Sequence, residues 1–239
     1  MKLKITHLYP DLLNLYGDMG NIETLRHRAI WRGIDAEVTA ITQTSAFDLS
    51  DTDIVIIGGG GEREEKIVMD ELRKNRDALY NYIENNGTVL AVCGGIDMLG
   101  KYVGYGAETV EGADILDIYT DACDTRASGN VIMESMLFDG KVVGFENRTG
   151  RTYINNLTPL GKVIVGTGNN GTDKTEGVVY KNVIGTHLHG PLLPKNPQLC
   201  DWLLEKALQK KYMEFTNLTP LCDELEDRAN ESIVNRFSN

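Results

Sequence analysis

Two short apolar runs, each ending in glycine, constrain this chain more than anything else in it. Ile54–Ile57 ("IVII") is followed by four glycines, and Val89–Val92 ("VLAV") runs into Cys93, Gly94 and Gly95. Runs this short and unbroken leave no polar face for solvent, so they read as strands buried on both faces. A parallel sheet covered by helices provides that environment. The flanking segments agree: "LKITHL" (3–8) and "DAEVTAI" (35–41) read as strands, and "GNIETLRHRAIWRG" (20–33) as a helix closed by Gly33. Residues 62–86 carry apolar Ile67, Leu72, Leu79 and Ile83 among charged helix formers, which predicts a helix, continuous or broken once. This βαββαβ order predicts an α/β fold with an open, mostly parallel sheet flanked by helices.

From about residue 105 the texture changes. Glycine and β-branched residues dominate "DILDIYT", "GNVIMES", "KVVGFEN" and "GKVIVGTG". These predict hairpins and antiparallel strands added to the same sheet. "NPQLCDWLLEKALQKK" (196–211) returns to helix. Leu221, Leu225, Ala229, Ile233 and Phe237 recur every fourth residue, predicting an amphipathic helix over about 221–237 that docks on the protein's own core. No Ser/Pro-rich linker interrupts the chain, so a single domain over 1–239 is expected.

Composition removes several function classes. A net charge of −11 opposes binding to nucleic acid, which rests on Lys and Arg neutralising phosphates, and opposes adsorption to anionic lipid. The longest apolar runs are far too short to cross a bilayer, and "MKLKITHLYP" has no signal-peptide character. A cytoplasmic protein without membrane insertion is the expectation. Cys93, Cys123, Cys200 and Cys222 lie far apart, without Cys-x-x-Cys spacing, so neither a zinc site nor a disulfide framework is expected.

Cys93 stands where a buried strand meets a helix. A nucleophile at such a turn is pushed out at the top of the sheet, where open α/β folds bind ligands. Gly94 and Gly95 let the backbone bend and a substrate approach. The helix N-terminus beneath is expected to favour thiolate over thiol. A buried, inert cysteine at a Gly-rich turn is the plainer alternative. Of the histidines, His7 and His27 need only core or surface roles, whereas His187 and His189 in "IGTHLHGPLLP" share a strand face near a late strand end. His189, fixed by the following Gly-Pro turn, is the better candidate base. The glycine loop in "IIGGGGEREE" offers backbone N–H groups to an oxyanion. It lacks Gly-x-Gly-x-x-Gly spacing, and Glu62 and Glu64 would repel a phosphate.

With these residues in place, the sequence resembles a class I (triad-type) glutamine amidotransferase of the cobyric acid synthase-like branch, through "AVCGGIDMLG" and "GTHLHGPLLPKNP". Within that branch, "LNLYGDMGNIETLRHRA", "IIGGGGERE", "VGFENRTGRTY" and "GNNGTDKTEGVVYKN" are similar to the glutaminase subunits of lipid II isoglutaminyl synthases. The resemblance implies a flavodoxin-like fold, L-glutamine as substrate and Cys93 and His189 as the catalytic pair. It also implies oxyanion donors from Gly59, Gly60 and Gly94, and Arg126 on the glutamine carboxylate. Asp97, Asn147 and His187 are further candidates. No cofactor is implied in this subunit. A Mur-ligase-like partner of the MurT type, carrying ATP and Mg, would amidate the D-glutamate α-carboxylate of the lipid II stem peptide.

Two departures from the family pattern stand out. Pro191 occupies the position where many class I domains have a Glu that orients the imidazole, so the third catalytic group would come from elsewhere in the chain or from the partner. Asp97 replaces a common Gln and would contact the substrate ammonium or serve as a helix-start residue. The rival readings are a glutaminase serving another acceptor such as a corrinoid, a non-catalytic interaction subunit of the same fold, and a cysteine hydrolase of similar architecture.

Overall fold

In a computed structural model that describes residues 1–15 and 17–237, the two apolar runs lie at the centre of a six-stranded sheet. Its strands are β1 (Lys2–Leu8), β2 (Asp35–Ile41), β3 (Ile54–Ile57) and β4 (Thr88–Val92) from the first half of the chain. The second half adds β11 (Val178–Tyr180) and β12 (Val183–Thr186). The order is β11-β12-β4-β3-β1-β2, with every pair parallel except β11–β12.

Both faces of the central strands are covered, as their unbroken apolar character requires. Ile54, Ile56, Leu90 and Val92 join a core built with α1 (Met19–Ile30) and α5 (Pro197–Lys211). Val55, Ile57, Val89 and Ala91 alternate to the opposite core, against α2 (Glu62–Lys74) and α3 (Arg76–Glu84). All eight side chains are fully buried, and each except Ala91 contributes roughly 1.5–3 kcal/mol on leaving water. The break between α2 and α3 falls at Asn75, whose ψ of 17° leaves the helical range.

The added strands depart from the sequence expectation. Only β11 extends the first sheet in the antiparallel sense. The others build a second sheet: β5 (Tyr102–Tyr105), β6 (Glu108–Glu111), β7 (Tyr119–Ser135), β8 (Lys141–Tyr153), β9 (Gly161–Val165) and β10 (Thr175–Glu176). Its order is β10-β9-β7-β5-β6, with β8 paired to β7. The reason lies in β7, which pairs with β8 over most of its 17 residues and sends Val131 and Met133 into the α1/α5 core. A strand buried by its own sheet partners does not need the edge of the first sheet. The β7–β8 register breaks between Ala122 and Ala127, and such breaks re-aim side chains. Arg126 lies inside this one.

The chain end is held by charge. Arg28, 1% exposed, donates to Asp201 at 2.8 Å and to Asp223 at 2.6 Å, joining α1 and α5 to the segment before α6 (Glu224–Phe237). The helix exists, but its expected apolar stripe does not face the core. Leu225, Ala229 and Phe237 are exposed, while Glu226, Asn230, Ile233 and Val234 form the sheltered side. A strict four-residue repeat advances about 40° per step against a 3.6-residue turn, so five such residues cannot share one face. Asn230 does the docking, donating to the Lys195 and Lys141 carbonyls at 3.0 and 3.1 Å. Among the described residues, no helix is long and apolar enough to cross a membrane.

Candidate active site

Cys93 ends β4 and precedes the five-residue helix α4 (Gly94–Met98), with φ 55° and ψ −126°. A non-glycine residue held in such a region stores on the order of 1–3 kcal/mol of strain. Two contacts impose it. The Cys93 N–H donates to the Thr186 carbonyl of β12 at 2.8 Å, and Gly59, after β3, packs so closely that a Cβ there would lie 2.7 Å from Cys93 Cβ. The sulfur faces a cleft of about 320 Å³, a size suited to a small molecule.

The thiol is not in the state expected from the helix terminus. Burial pushes its pKa well up, and Glu65, Asp97 and Asp18 push the same way, with only the Gly94 N–H opposing. A single-turn helix end cannot outweigh desolvation and three acidic neighbours. Cys93 is therefore a neutral thiol here, and its proton must leave as the sulfur attacks.

The glycine loop also differs from a simple pair of open donors. The Gly59 N–H donates to Asp18 Oδ2 at 3.1 Å, and the Gly60 N–H lies 3.4 Å from Glu65 Oε1. Gly60 and Gly94 line the cleft and Gly59 does not. Both carboxyls are perturbed. Burial raises Asp18 to about 6 and Glu65 to about 7, against the hydrogen bonds each receives. Neither acid was singled out from sequence. Glu65 is one of three glutamates in "EREE", and only the helix phase of α2 buries it, while Glu62 stays exposed at the cleft rim and Glu64 is half-buried.

Arg126 and Asn147 meet on the cleft wall, where Arg126 Nε donates to Asn147 Oδ1 at 2.6 Å. Arg126 is otherwise exposed, with its guanidinium available to an anion. Arg148 was missed by the sequence reading and forms part of the same wall. It is buried, bonded to the carbonyls of Gly150 at 2.7 Å, Asn169 at 2.6 Å and Gly168. Burial presses its pKa below the ordinary arginine value, while Asp97, Glu176 and Glu146 act to hold it up.

Asp97 lines the cleft one turn beyond Cys93. Its Oδ1 accepts from Thr120 at 2.6 Å and Thr152 at 2.9 Å, and pairs with His187 Nε2 at 3.1 Å. Burial opposes its ionisation, yet His187, Arg148 and Thr120 prevail and hold it below the usual carboxylate range. Burial and Arg148 press His187 down, but Asp97 and Glu176 raise it above the ordinary imidazole value. The pair is an ion pair, further held by the His187 N–H on Glu176 at 2.8 Å.

His187 and His189 therefore do not share a face toward the cleft, and neither forms its wall. Strand β12 ends at Thr186, and His189 instead forms a bridge with Phe145 of β8, its ring edge-on to Phe145 at 5.7 Å. Burial, Lys195 and His187 press its pKa to about 4, so the imidazole is neutral in the free chain and a weaker base than a free histidine. Pro191 packs on Gly20 at the start of α1. His7 is a buried core residue and His27 sits at the surface beside Glu23. No group of three His, Cys, Asp or Glu is placed to hold a metal among the described residues.

Comparison with known proteins gives a consistent picture. The family model for the CobB/CobQ-like glutamine amidotransferase domain matches residues 4–197. The chain is 43% identical over 236 residues to the lipid II isoglutaminyl synthase (glutamine-hydrolyzing) subunit GatD of Staphylococcus aureus (strain N315), covering 98% of this chain and 96% of that protein. It is 38% identical over 240 residues to the GatD subunit of Streptococcus pneumoniae (strain ATCC BAA-255 / R6), covering 99% and 91%. Cobyric acid synthase of Listeria innocua is 32% identical over 152 residues, covering 60% of this chain and 29% of that protein. Among solved structures, the glutaminase domain of Trypanosoma brucei CTPS with bound acivicin aligns with a TM-score of 0.54 at 12% identity, over 91% of this chain and 98% of that one. A crystal structure of a glutamine amidotransferase aligns at 0.55 and 16%, over 84% and 98%. At these identities the structural matches show the fold alone.

Proposed function

Since the chain belongs to the CobB/CobQ-like glutamine amidotransferase family, we propose that it is the glutamine-hydrolysing subunit of a lipid II isoglutaminyl synthase. The observation that carries this reading is Cys93, held at positive φ on a cleft whose wall presents Arg126. Near-full-length similarity to two GatD subunits supports the choice within the family.

In this reading the side-chain amide of L-glutamine meets Cys93 while Arg126, steadied by Asn147, holds the substrate carboxylate. The neutral imidazole of His189 takes the thiol proton as sulfur attacks the amide carbon. Backbone N–H groups of Gly94 and the glycine loop receive the oxyanion. Donors of this kind are worth about 3 kcal/mol of barrier when aligned. His189 returns the proton to the leaving nitrogen and ammonia departs, leaving a thioester. Water, deprotonated by His189, then releases glutamate and restores the thiol.

The ammonia goes to a Mur-ligase-like synthetase subunit of the MurT type. That partner, using ATP and Mg, would amidate the D-glutamate α-carboxylate of the lipid II stem peptide at the inner face of the membrane. A cytoplasmic location goes with this reading. Pro191 in place of an acidic residue points to the synthetase subunit as the source of the group that orients His189.

A diazo-ketone analogue of glutamine, followed by intact mass and peptide mapping with and without the synthetase subunit, tests the reading. Labelling at Cys93 that glutamine blocks and Cys93→Ala abolishes is expected. No label in either condition would leave a non-catalytic interaction subunit instead.

A further inference from the structure

The oxyanion pocket of this chain already contains an oxygen acceptor. Glu65 Oε1 lies 3.4 Å from the Gly60 N–H, and a Cβ built on Gly94 would overlap it. Those two residues are the glycine-loop and elbow members of the pocket that line the cleft. A carboxyl oxygen packed against the Gly94 Cα and on the Gly60 N–H occupies one of the donors that a tetrahedral intermediate would need for its charged oxygen.

The start of α2 does not account for this position. Its third residue, Glu64, folds back so that its carboxyl lies against Gly61 at the helix start. Glu65 reaches past the helix start into the cleft. It is held there from the second sheet, where the Tyr105 hydroxyl donates to Glu65 Oε2 at 2.7 Å. The next residue is held as well. Lys66 Nζ pairs with Glu108 at 2.6 Å and lies 5.1 Å over the Tyr105 ring. Tyr105 and Glu108 are opposite one another in the β5–β6 hairpin. Two facing hairpin residues thus grip two consecutive residues of α2. The hairpin is at the open edge of its sheet, with Glu108, Thr109 and Glu111 exposed.

We propose that the Glu65 carboxyl, latched by Tyr105 of the β5–β6 hairpin, fills the oxyanion pocket of the free chain, and that glutamine turnover requires its withdrawal. The proposal rests on the glutaminase reading, because the pocket it closes belongs to that chemistry. Substrate carbonyl and Glu65 Oε1 compete for one N–H donor, so the latch lowers reactivity toward glutamine-like carbonyls specifically. Movement of the hairpin, whose outer edge is free for contact, would release Tyr105 and with it Glu65.

The test compares Cys93 labelling rates in the full chain, using the diazo-ketone glutamine analogue and, separately, iodoacetamide, which needs no oxyanion pocket. Glu65→Ala removes the plug and Tyr105→Phe only its latch, so one variant remains informative if the other folds poorly. Both are expected to speed labelling by the glutamine analogue about fivefold more than labelling by iodoacetamide, the factor one hydrogen bond commands. Glu65→Ala also removes an acid that raises the Cys93 pKa and so speeds both reagents, whereas Tyr105→Phe leaves iodoacetamide labelling nearly unchanged. A gain in rate is not what loss of structural support produces. Unchanged or slower analogue labelling in both variants overturns the latch, as does equal acceleration with both reagents. If the analogue labels neither the wild type nor the variants at Cys93, with or without the synthetase subunit, the glutaminase reading falls, and the latch with it. Labelling without acceleration removes only the latch.

Discussion

Asp97 and His187, 90 residues apart in the chain, meet at 3.1 Å behind the nucleophile and join the two sheets there. Asp97 belongs to the elbow helix of the first sheet, and its other partners, Thr120 and Thr152, come from β7 and β8 of the second. The pair is almost wholly buried, at 1% and 13% side-chain exposure for His187 and Asp97. Breaking a buried pair by removing one charge is costly because the other is left uncompensated.

Asp97→Asn is therefore expected to lower stability by about 3 kcal/mol, with a fall in Tm of about 6–12 °C for a chain of this size. His187 should at the same time lose its raised pKa, readable from its imidazole resonances across a pH titration. An unshifted His187 would mean that Glu176 alone sustains its charge.

Arg126 makes the opposite kind of prediction. It is exposed and bonded only to Asn147 among the contacts described, so little of the fold depends on it. Arg126→Ala should leave Tm within about 1 °C while raising KM for glutamine at least tenfold, since a hydrogen bond to a charged group is worth roughly 1.5–3 kcal/mol. Asn147→Ala should show a smaller rise. An unchanged KM in both would remove Arg126 from the substrate site.

Asp18 ties stability to pH. Burial raises its pKa from 3.8 to about 6 in the folded chain, so between those values the native state binds more protons than the unfolded one. The contribution is fully present below the unfolded value and is lost as pH rises through about 6. Asp18→Asn keeps an oxygen for the Gly59 N–H and does not titrate. Relative to this variant the wild type should lose about 2–3 kcal/mol between pH 4 and pH 7.5, measured by denaturant unfolding, at about 1.4 kcal/mol per pKa unit. His7 and His189, pressed down to about 4, act in the other direction, and the difference between the two proteins cancels them. A constant gap would show that Asp18 is ionised throughout.

The backbone at Cys93 predicts an inverted glycine effect. At most positions glycine is less stable than alanine by roughly 0.5–1 kcal/mol. With φ at 55° and ψ at −126°, Cys93→Gly should instead be at least as stable as Cys93→Ala, by about 1 kcal/mol in thermal unfolding, as both lack the thiol. Cys93→Ala being the more stable would mean that the elbow carries no strain.

What could be read from the chain itself follows from local pattern. Unbroken apolar runs specify strands buried on both faces, and glycines at their ends specify where the backbone turns, so β3, β4 and the elbow at Cys93 were visible before any packing was known. The resemblance carried by "AVCGGIDMLG" and "GTHLHGP" pointed to the nucleophile and the histidine in the same way, and "DTRASGN" to Arg126. Everything that depends on distance between remote segments required the tertiary structure. A second sheet replaced added edge strands because β7 and β8 satisfy one another. Leu225, Ala229 and Phe237 of the α6 stripe face outward while Ile233 is sheltered, because the repeat drifts around the helix. Asp18, Glu65 and Arg148 entered the site because helix phase and sheet closure bring them there, and no local pattern separates them from surface charges. The thiol is the clearest case. A sequence shows the helix terminus that would lower its pKa, but burial and the carboxyls that raise it exist only once the chain has closed around Cys93.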